Sequence, residues 1–246
     1  MEAQKEIVIE IKDLYKSFGQ NRVLNGFNMT IYKGDSIVLL GKSGSGKSVM
    51  IKCLVGLMQP DSGSIKIMGD DPTKLSQKEL NLLRSKIGFL FQGSALYDSM
   101  TVRENLEFPL RIHPELLAQK ETRVKQALES VGLLDAIDLM PSELSGGMKR
   151  RIALARAIML RPKIIIYDEP TTGLDPITSK EITLLIQRIQ KEYDATSLII
   201  SHDIDFAKAI ASRIIMLIDG INYASGTALE LEKSTDPKIK AFFKQT

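Results

Sequence analysis

The sequence predicts an α/β fold: a mostly parallel sheet core with one helical segment inserted into it. Two observations carry this. Short apolar runs alternate with helix-spaced segments toward both ends of the 246-residue chain, as in a sheet whose strands are joined by helices. The stretch from Ser94 to Leu160 contains no buried-looking strand and reads as helix, so it interrupts that alternation.

Taken in order, "EIVIEIKDL" (Glu6–Leu14) alternates like an edge strand and "LNGFNMTIY" (Leu24–Tyr32) like a second strand. "SIVLL" (Ser36–Leu40) is a short continuous apolar strand, followed by a glycine-rich turn and a helix, "SVMIKCLVGL". "GFLFQ" ends an apolar strand on Gln92. "PELLAQKETRVKQALESVGL" and the stretch from Lys149 read as helices. "KIIIYDE", "TSLIISH" and "RIIMLIDG" are further strands, the first two buried-looking. Between them Lys180–Glu192 has helical spacing at Ile182, Leu185, Ile186 and Ile189. The tail, "STDPKIKAFFKQT", reads as a last amphipathic helix that packs through Ile239, Phe242 and Phe243.

Composition excludes more than it suggests. A net charge of +3 attracts nucleic acid or anionic lipid only weakly, so it names no partner. Cys53 is the single cysteine, which rules out an internal disulfide and a cysteine-rich metal site and fits a reducing cytosol. It is expected as buried packing behind the glycine-rich turn. No apolar run approaches the roughly 20 residues that span a bilayer. "MEAQKEIVIEIK" is too charged for a signal peptide. The expectation is a soluble intracellular chain whose membrane role, if any, is borrowed from a partner.

Three motifs carry chemistry. "GKSGSGKS", Gly41 to Ser48, matches G-x-x-x-x-G-K-[ST] between a strand and a helix. Its glycines let backbone N–H groups curl around phosphate oxygens, Lys47 supplies a point charge, and Ser48 offers a hydroxyl to Mg²⁺. The following helix directs its positive end at the same anion. "IIIYDEP", Ile164 to Pro170, delivers two acids to the C-terminal edge of a strand, where open α/β sheets place ligands. There Asp168 is placed to hold Mg²⁺ and Glu169, projecting the other way, to polarise a water. "LSGGMKRR", Leu144 to Arg151, sets a glycine pair behind a candidate N-cap, Ser145. Met148, Ile152, Ala155 and Met159 follow as an apolar stripe, and "KRR" reads as a charged helix face.

A P-loop, Gln92, "LSGGM", "YDEP", "TGLD" (Thr172–Asp175) and "SHD" (Ser201–Asp203) occur in one order. Together they resemble the ATP-binding subunit of ABC transporters over essentially the whole chain. The resemblance implies a P-loop NTPase (RecA-like) core with an antiparallel β portion and an inserted helical subdomain. The expected boundaries are one domain over 1–246, with the lobe formed by 1–93 and 156–246 and the insertion by 94–155. It also implies a head-to-tail homodimer with ATP sandwiched at the interface. Gly41, Lys42, Ser43, Gly44, Ser45, Gly46, Lys47, Ser48 and Val49 would line the nucleotide, and Phe18, with Tyr15 as its competitor, would stack on adenine. Ser48, Gln92 and Asp168 would hold Mg²⁺, and Glu169 would act as general base. His202 would contact the γ-phosphate and orient Glu169 and water, while Gln92 would report nucleotide state to the membrane partner. Ser145, Gly146 and Gly147 would complete the γ-phosphate site of the other copy, and Asp175 would organise the interface. His113 is left as ordinary helical-domain surface.

"FLFQGSALYDSMTVRENLEFPLRIH" (Phe89–His113) and the methionine of "LSGGM" resemble the ATPase of Mla-type lipid-trafficking ABC systems. The sequence departs from that pattern at Gly93-Ser94, Tyr97 and Ile112. Lipid transport between bacterial membranes is therefore the expected role. Integral-membrane permease subunits and a membrane-anchored substrate-binding protein are the expected partners, at the inner face of the cell membrane. Lipoprotein-release, cell-division, metal and amino-acid systems share the core motifs. An ABC ATPase acting on nucleic acid is disfavoured, because the chain has one ATPase unit and neither a long coiled coil nor a zinc module.

Overall fold

The computed structural model describes residues 5–243; residues 1–4 and 244–246, the ends of the expected 1–246 domain and of the tail segment, lie outside the described residues. The chain begins with β1 (Ile7–Phe18), β2 (Asn21–Tyr32), β3 (Ser36–Leu40), α1 (Lys47–Leu54), β4 (Ser62–Ile67) and α2 (Gln77–Ser85). β5 (Ile87–Leu90), α3 (Val102–Glu107), α4 (Lys120–Val131), α5 (Gly146–Ile158), β6 (Ile164–Asp168) and α6 (Pro176–Tyr193) follow. The last elements are β7 (Thr196–Ser201), α7 (Ile204–Ile210), β8 (Arg213–Ile218), β9 (Ile221–Gly226), α8 (Ala228–Glu232) and α9 (Pro237–Phe243). The chain divides into two compact units, one formed by Met1–Arg84 with Thr196–Thr246 and the other by Ser85–Ala195.

The first unit contains a three-stranded antiparallel sheet in the order β2-β1-β4. β1 is therefore central, not the edge strand its alternation suggested. Alternation reports that one face is buried, as Ile9, Ile11 and Leu14 are, and is silent on how many neighbours a strand has. Its second neighbour, β4, is the short polar-leaning "SGSIKI", which carries little strand signal of its own. The same unit holds a mostly parallel sheet in which β7 and β8 flank β3 in parallel and β9 pairs antiparallel with β8. Ile37 to Leu40 of β3 and Ile214 to Leu217 of β8 are all buried, so the third expected strand is as deeply covered as the first two. α1 buries Met50, Ile51, Cys53 and Leu54. Cys53 is packing, and burial pushes its thiol pKa up. The tail helix α9 buries Ile239, while Phe242 and Phe243 are half-buried, with the Lys42 and Lys208 ammonium groups 5.9 and 5.5 Å from their ring centroids.

In the second unit β5 and β6 pair in parallel, with Gly88 opposite Ile165. α5 packs on β5 and α4 and buries Ile152, Ala153, Leu154, Ala155, Ala157 and Ile158. Of the expected stripe, Ile152, Ala155 and Met159 are buried and Met148 half-buried. The long segment expected as one helix from Pro114 starts instead as a 3-10 turn, Pro114–Gln119, before α4. That helix ends at Gly132, whose φ of +69° only glycine adopts freely. α6 starts earlier than its apolar spacing indicates, because Pro176 occupies the first turn and Asp175 caps it. His113 is half-buried, not plain surface, with Nδ1 3.0 Å from Glu115 Oε1.

The α5–β5 contact is tight enough to test. A Cβ on Gly88 would lie 2.5 Å from the Ala157 carbonyl oxygen and 3.0 Å from Pro162 Cγ. Gly88→Ala is expected to destabilise by about 1–3 kcal/mol through overpacking and lower the unfolding midpoint by roughly 2–12 °C. Thermal unfolding by circular dichroism reads this, and an unchanged midpoint would contradict the contact.

Candidate functional site

The first unit builds a candidate phosphate cradle from local geometry. β3 ends at Leu40, and the chain turns through Gly41–Gly46, where Ser45 N donates to Lys42 O at 3.2 Å. Gly44 and Gly46 have φ of +77° and +102°, a region that a side chain would strain. A Cβ on Gly41 would sit 2.6 Å from Ser45 Oγ and 2.9 Å from the Leu217 carbonyl oxygen, so the loop closes only around glycine. α1 then opens at Lys47 with Gly46 at its N-cap and no side-chain cap, the arrangement by which a helix start receives an anion. Lys47 is buried, and its ammonium donates to Gly41 O at 2.5 Å and Lys42 O at 3.1 Å, holding the charge over the curl. Lys42, Ser43, Gly44 and Ser48 are exposed and Val49 is half-buried. The donor set fits a nucleotide phosphate: backbone amides and one lysine for the oxygens, one hydroxyl for a hard cation. Ser45 Oγ is buried without a hydrogen-bond partner among the described residues.

Phe18 lies at the end of β1 and is 48% exposed, so it is not a core phenylalanine. Tyr15, the competing aromatic, has its hydroxyl 2.9 Å from where a Cβ on Gly26 would stand and so packs along its own hairpin. Asp61 pins this strand end, accepting from Lys16 Nζ at 2.8 Å and from Ser17 N at 2.6 Å. The Lys16 hydrogen bond, then the Ser17 amide, holds the Asp61 carboxyl below its ordinary pKa. His202 is exposed in the turn after β7, and Asp203 accepts from Phe206 N at 3.0 Å to cap α7. A cleft of about 650 Å³ beside the cradle is lined by Arg22, Ser43, Asp219, Lys238 and Phe242.

In the second unit Asp168 ends β6, half-buried. Glu169 follows with φ +50°, so the strand alternation used to aim it away from Asp168 does not extend to it. A non-glycine residue in that region is strained, and such strain gathers at functional sites. Thr172 holds the turn: its Oγ1 donates to Glu169 Oε2 at 3.0 Å and its amide to Glu169 O at 3.3 Å. Asp175 caps α6, accepting at Oδ1 from the Ile177 and Thr178 amides at 3.0 Å each and at Oδ2 from the Thr178 hydroxyl at 2.6 Å. The Thr178 hydroxyl, then its amide, holds the Asp175 carboxyl below its ordinary value.

Gln92 is exposed, two residues past β5. Ser145 is the N-cap of α5, accepting from Met148 N at 3.2 Å, with Gly146 exposed and Gly147 half-buried at the helix start. The "KRR" run is not a uniformly solvated face. Arg150 is buried, and its guanidinium donates to the carbonyl oxygens of Phe91, Gln92 and Thr172. Arg151 pairs with Glu181 at 2.7 Å. The sequence gives no sign of Asp61, places Thr172 only as the first residue of "TGLD", and signals Arg150 only through a second apolar row on its own face of α5, Ala153, Leu154 and Ala157. Beside Gln92 an aromatic cleft of about 410 Å³ is lined by Phe89, Phe91, Tyr97 and Phe108.

Residues 24–172 match the ABC transporter family. The chain belongs to that family, and it is an ATP-binding, ATP-hydrolysing subunit of an ABC transporter. Such subunits act as dimers with membrane permease partners. The chain is 40% identical to the intermembrane phospholipid transport system ATP-binding protein MlaF of Haemophilus influenzae, over 96% of this chain and 90% of that one. It is also 40% identical to the probable ribonucleotide transport ATP-binding protein mkl of Mycobacterium leprae, over 96% of this chain and 68% of that one. Among solved structures, a dimer of the ATP-binding cassette MJ0796 bound to ADP and Pi matches with TM-score 0.79 and 31% identity, covering 89% of this chain and 98% of that one. Among the described residues no helix is long and apolar enough to cross a membrane.

Lys47→Ala removes the cradle's fixed charge. Its nucleotide affinity is expected to fall about 10- to 150-fold, the worth of one charge-assisted hydrogen bond. Equilibrium titration with a fluorescent ATP analogue measures it, and affinity within twofold of wild type would rule out the role.

Proposed function

We propose that this subunit drives phospholipid movement between bacterial membranes by ATP-powered closure of a homodimer against a separate permease, at the inner face of the cell membrane. The cradle of Gly41–Val49 with Lys47 supports the reading most directly, since glycine geometry, an uncapped helix start and a buried ammonium all serve one polyanion. In this reading Phe18 stacks on adenine and the Gly41–Val49 amides with Lys47 hold the phosphates. Ser48, Asp168 and Gln92 hold Mg²⁺, which when bound neutralises charge on the phosphate oxygens. Glu169 accepts a proton from the attacking water and His202 keeps the geometry in line. Positioning and charge neutralisation, more than covalent chemistry, lower the barrier. Ser145, Gly146 and Gly147 of one copy complete the γ-phosphate contacts of the other, and Asp175 orders the same interface. The exposed aromatic cleft beside Gln92 receives the permease. The helical insertion, 94–155, carries both that cleft's outer residues and the "LSGGM" helix start.

Lipid cargo rests on the Phe89–His113 stretch, on the methionine of "LSGGM" and on the MlaF relative, and it brings with it a membrane-anchored substrate-binding protein. Equal identity to a relative named for ribonucleotide transport favours, as a second reading, a different cargo class on the same engine. Purifying the subunit from membranes with its permease and following labelled phospholipid between vesicles separates the two: ATP-dependent lipid transfer is expected, and ATP turnover with no lipid movement would overturn the cargo.

Glu169→Gln should bind ATP normally, hydrolyse it hundreds-fold more slowly, within the ~10²–10⁴ a positioned general base contributes, and trap an ATP-bound dimer. Near-normal turnover in the presence of the permease would remove Glu169 from the mechanism.

A further inference from the structure

Arg150, within "LSGGMKRR", has no role in the nucleotide reading and is the buried cation of that stretch. It lies five residues beyond the N-cap Ser145, on the same helix. It is 5% exposed, and among the described residues no carboxylate pairs with it. One guanidinium nitrogen donates to Phe91 O at 2.9 Å and to Gln92 O, the other to Thr172 O at 3.3 Å, and Nε is buried without a partner. Burying a guanidinium against neutral carbonyls costs desolvation that no opposite charge returns, and burial lowers its pKa accordingly. An apolar side chain would fill this space at less cost, so packing alone does not account for an arginine here. The planar fork does what a point charge does not: it spans acceptors from two separate segments at once.

Those segments are the ones the mechanism needs. The first is the stretch just past β5, Phe91 and Gln92. The second is the turn whose Thr172 hydroxyl donates to Glu169 Oε2 and whose amide holds Glu169 O. We propose that Arg150 is a positioning residue that ties the helix starting at Ser145 to the Gln92 backbone and the Glu169–Thr172 turn, so that these three move as one body during each turnover. The inference rests on the reading of Glu169 as the general base and of Gln92 as the reporter to the permease. Contact at the Gln92 end is then transmitted as a rigid displacement to the helix start and to the base.

The test uses the full chain assembled with its permease. Arg150→Met and Arg150→Lys are compared with wild type for unfolding midpoint, KM for ATP, kcat, and stimulation by the permease, with Glu169→Gln as control. Arg150→Met should keep its midpoint within about 3 °C or raise it, since a buried unpaired charge is removed. KM should stay within threefold, because the phosphate cradle is untouched, while kcat falls tenfold or more and permease stimulation is lost. Arg150→Lys keeps the charge without the fork, so it should recover only part of kcat. Folded Arg150→Met with kcat within twofold of wild type overturns the proposal. So does a loss of activity in both variants that matches the loss of folded protein, which would make Arg150 a packing residue. If Glu169→Gln keeps turnover, the general-base reading fails. If Glu169→Gln is inactive while Arg150→Met is not, only the positioning role fails.

Discussion

The ammonium of Lys47 lies on the carbonyls of Gly41 and Lys42, at the start of a helix that no side chain caps, and the rest of the first unit is built to hold that turn. A helix start leaves several backbone donors without partners, and an ordinary helix satisfies one with a serine, threonine or aspartate. α7 and α6 do so through Asp203 and Asp175. α1 has glycine at that position and a buried lysine behind it, so no side chain caps its positive end. Holding such a loop demands rigid support. β3, paired on both sides in parallel, supplies it, and the Leu217 carbonyl closes against Gly41 from the neighbouring strand.

The second unit solves a different problem, that of keeping an acid in a conformation it does not prefer. Glu169 at φ +50° carries strain on the order of 1–3 kcal/mol. Two hydrogen bonds from Thr172, each contributing about 1 kcal/mol net, offset a strain of that size. Arg150 fixes Thr172 in turn. Strain is thus held by a short chain of contacts that runs from a carboxylate, through a hydroxyl and a carbonyl, to a guanidinium on the helix that Ser145 caps.

Legibility tracked contiguity. The P-loop was readable because its glycines, lysine and serine lie within eight residues and act through backbone geometry that their identity dictates. Ser145 as N-cap and Cys53 as packing were readable for the same local reason. β1 looks like an edge in sequence because its second partner, β4, is short and polar, and pairing is a relation between distant segments. β9 and α2 went unread because their apolar content is low: all of β9 but one exposed residue is half-buried, and α2 buries only Leu80 and Leu83. Pro114–Gln119 has helical composition, yet forms a 3-10 turn that proline opens.

By itself the sequence determined the class of fold, the glycine curl before an uncapped helix start, the order of the motifs and the family they define. These depend on residue types at short fixed spacing, and glycine dihedrals and helix starts need little else. Only the tertiary structure decided that Arg150 leaves the solvated face to clasp Phe91, Gln92 and Thr172, that Asp61 pins the strand bearing Phe18, and that Glu169 bends out of its strand. Each joins residues 22 to 59 positions apart or trades backbone strain against hydrogen bonds. Such balances are set by which surfaces meet in space, and a linear pattern of side chains does not encode the meeting.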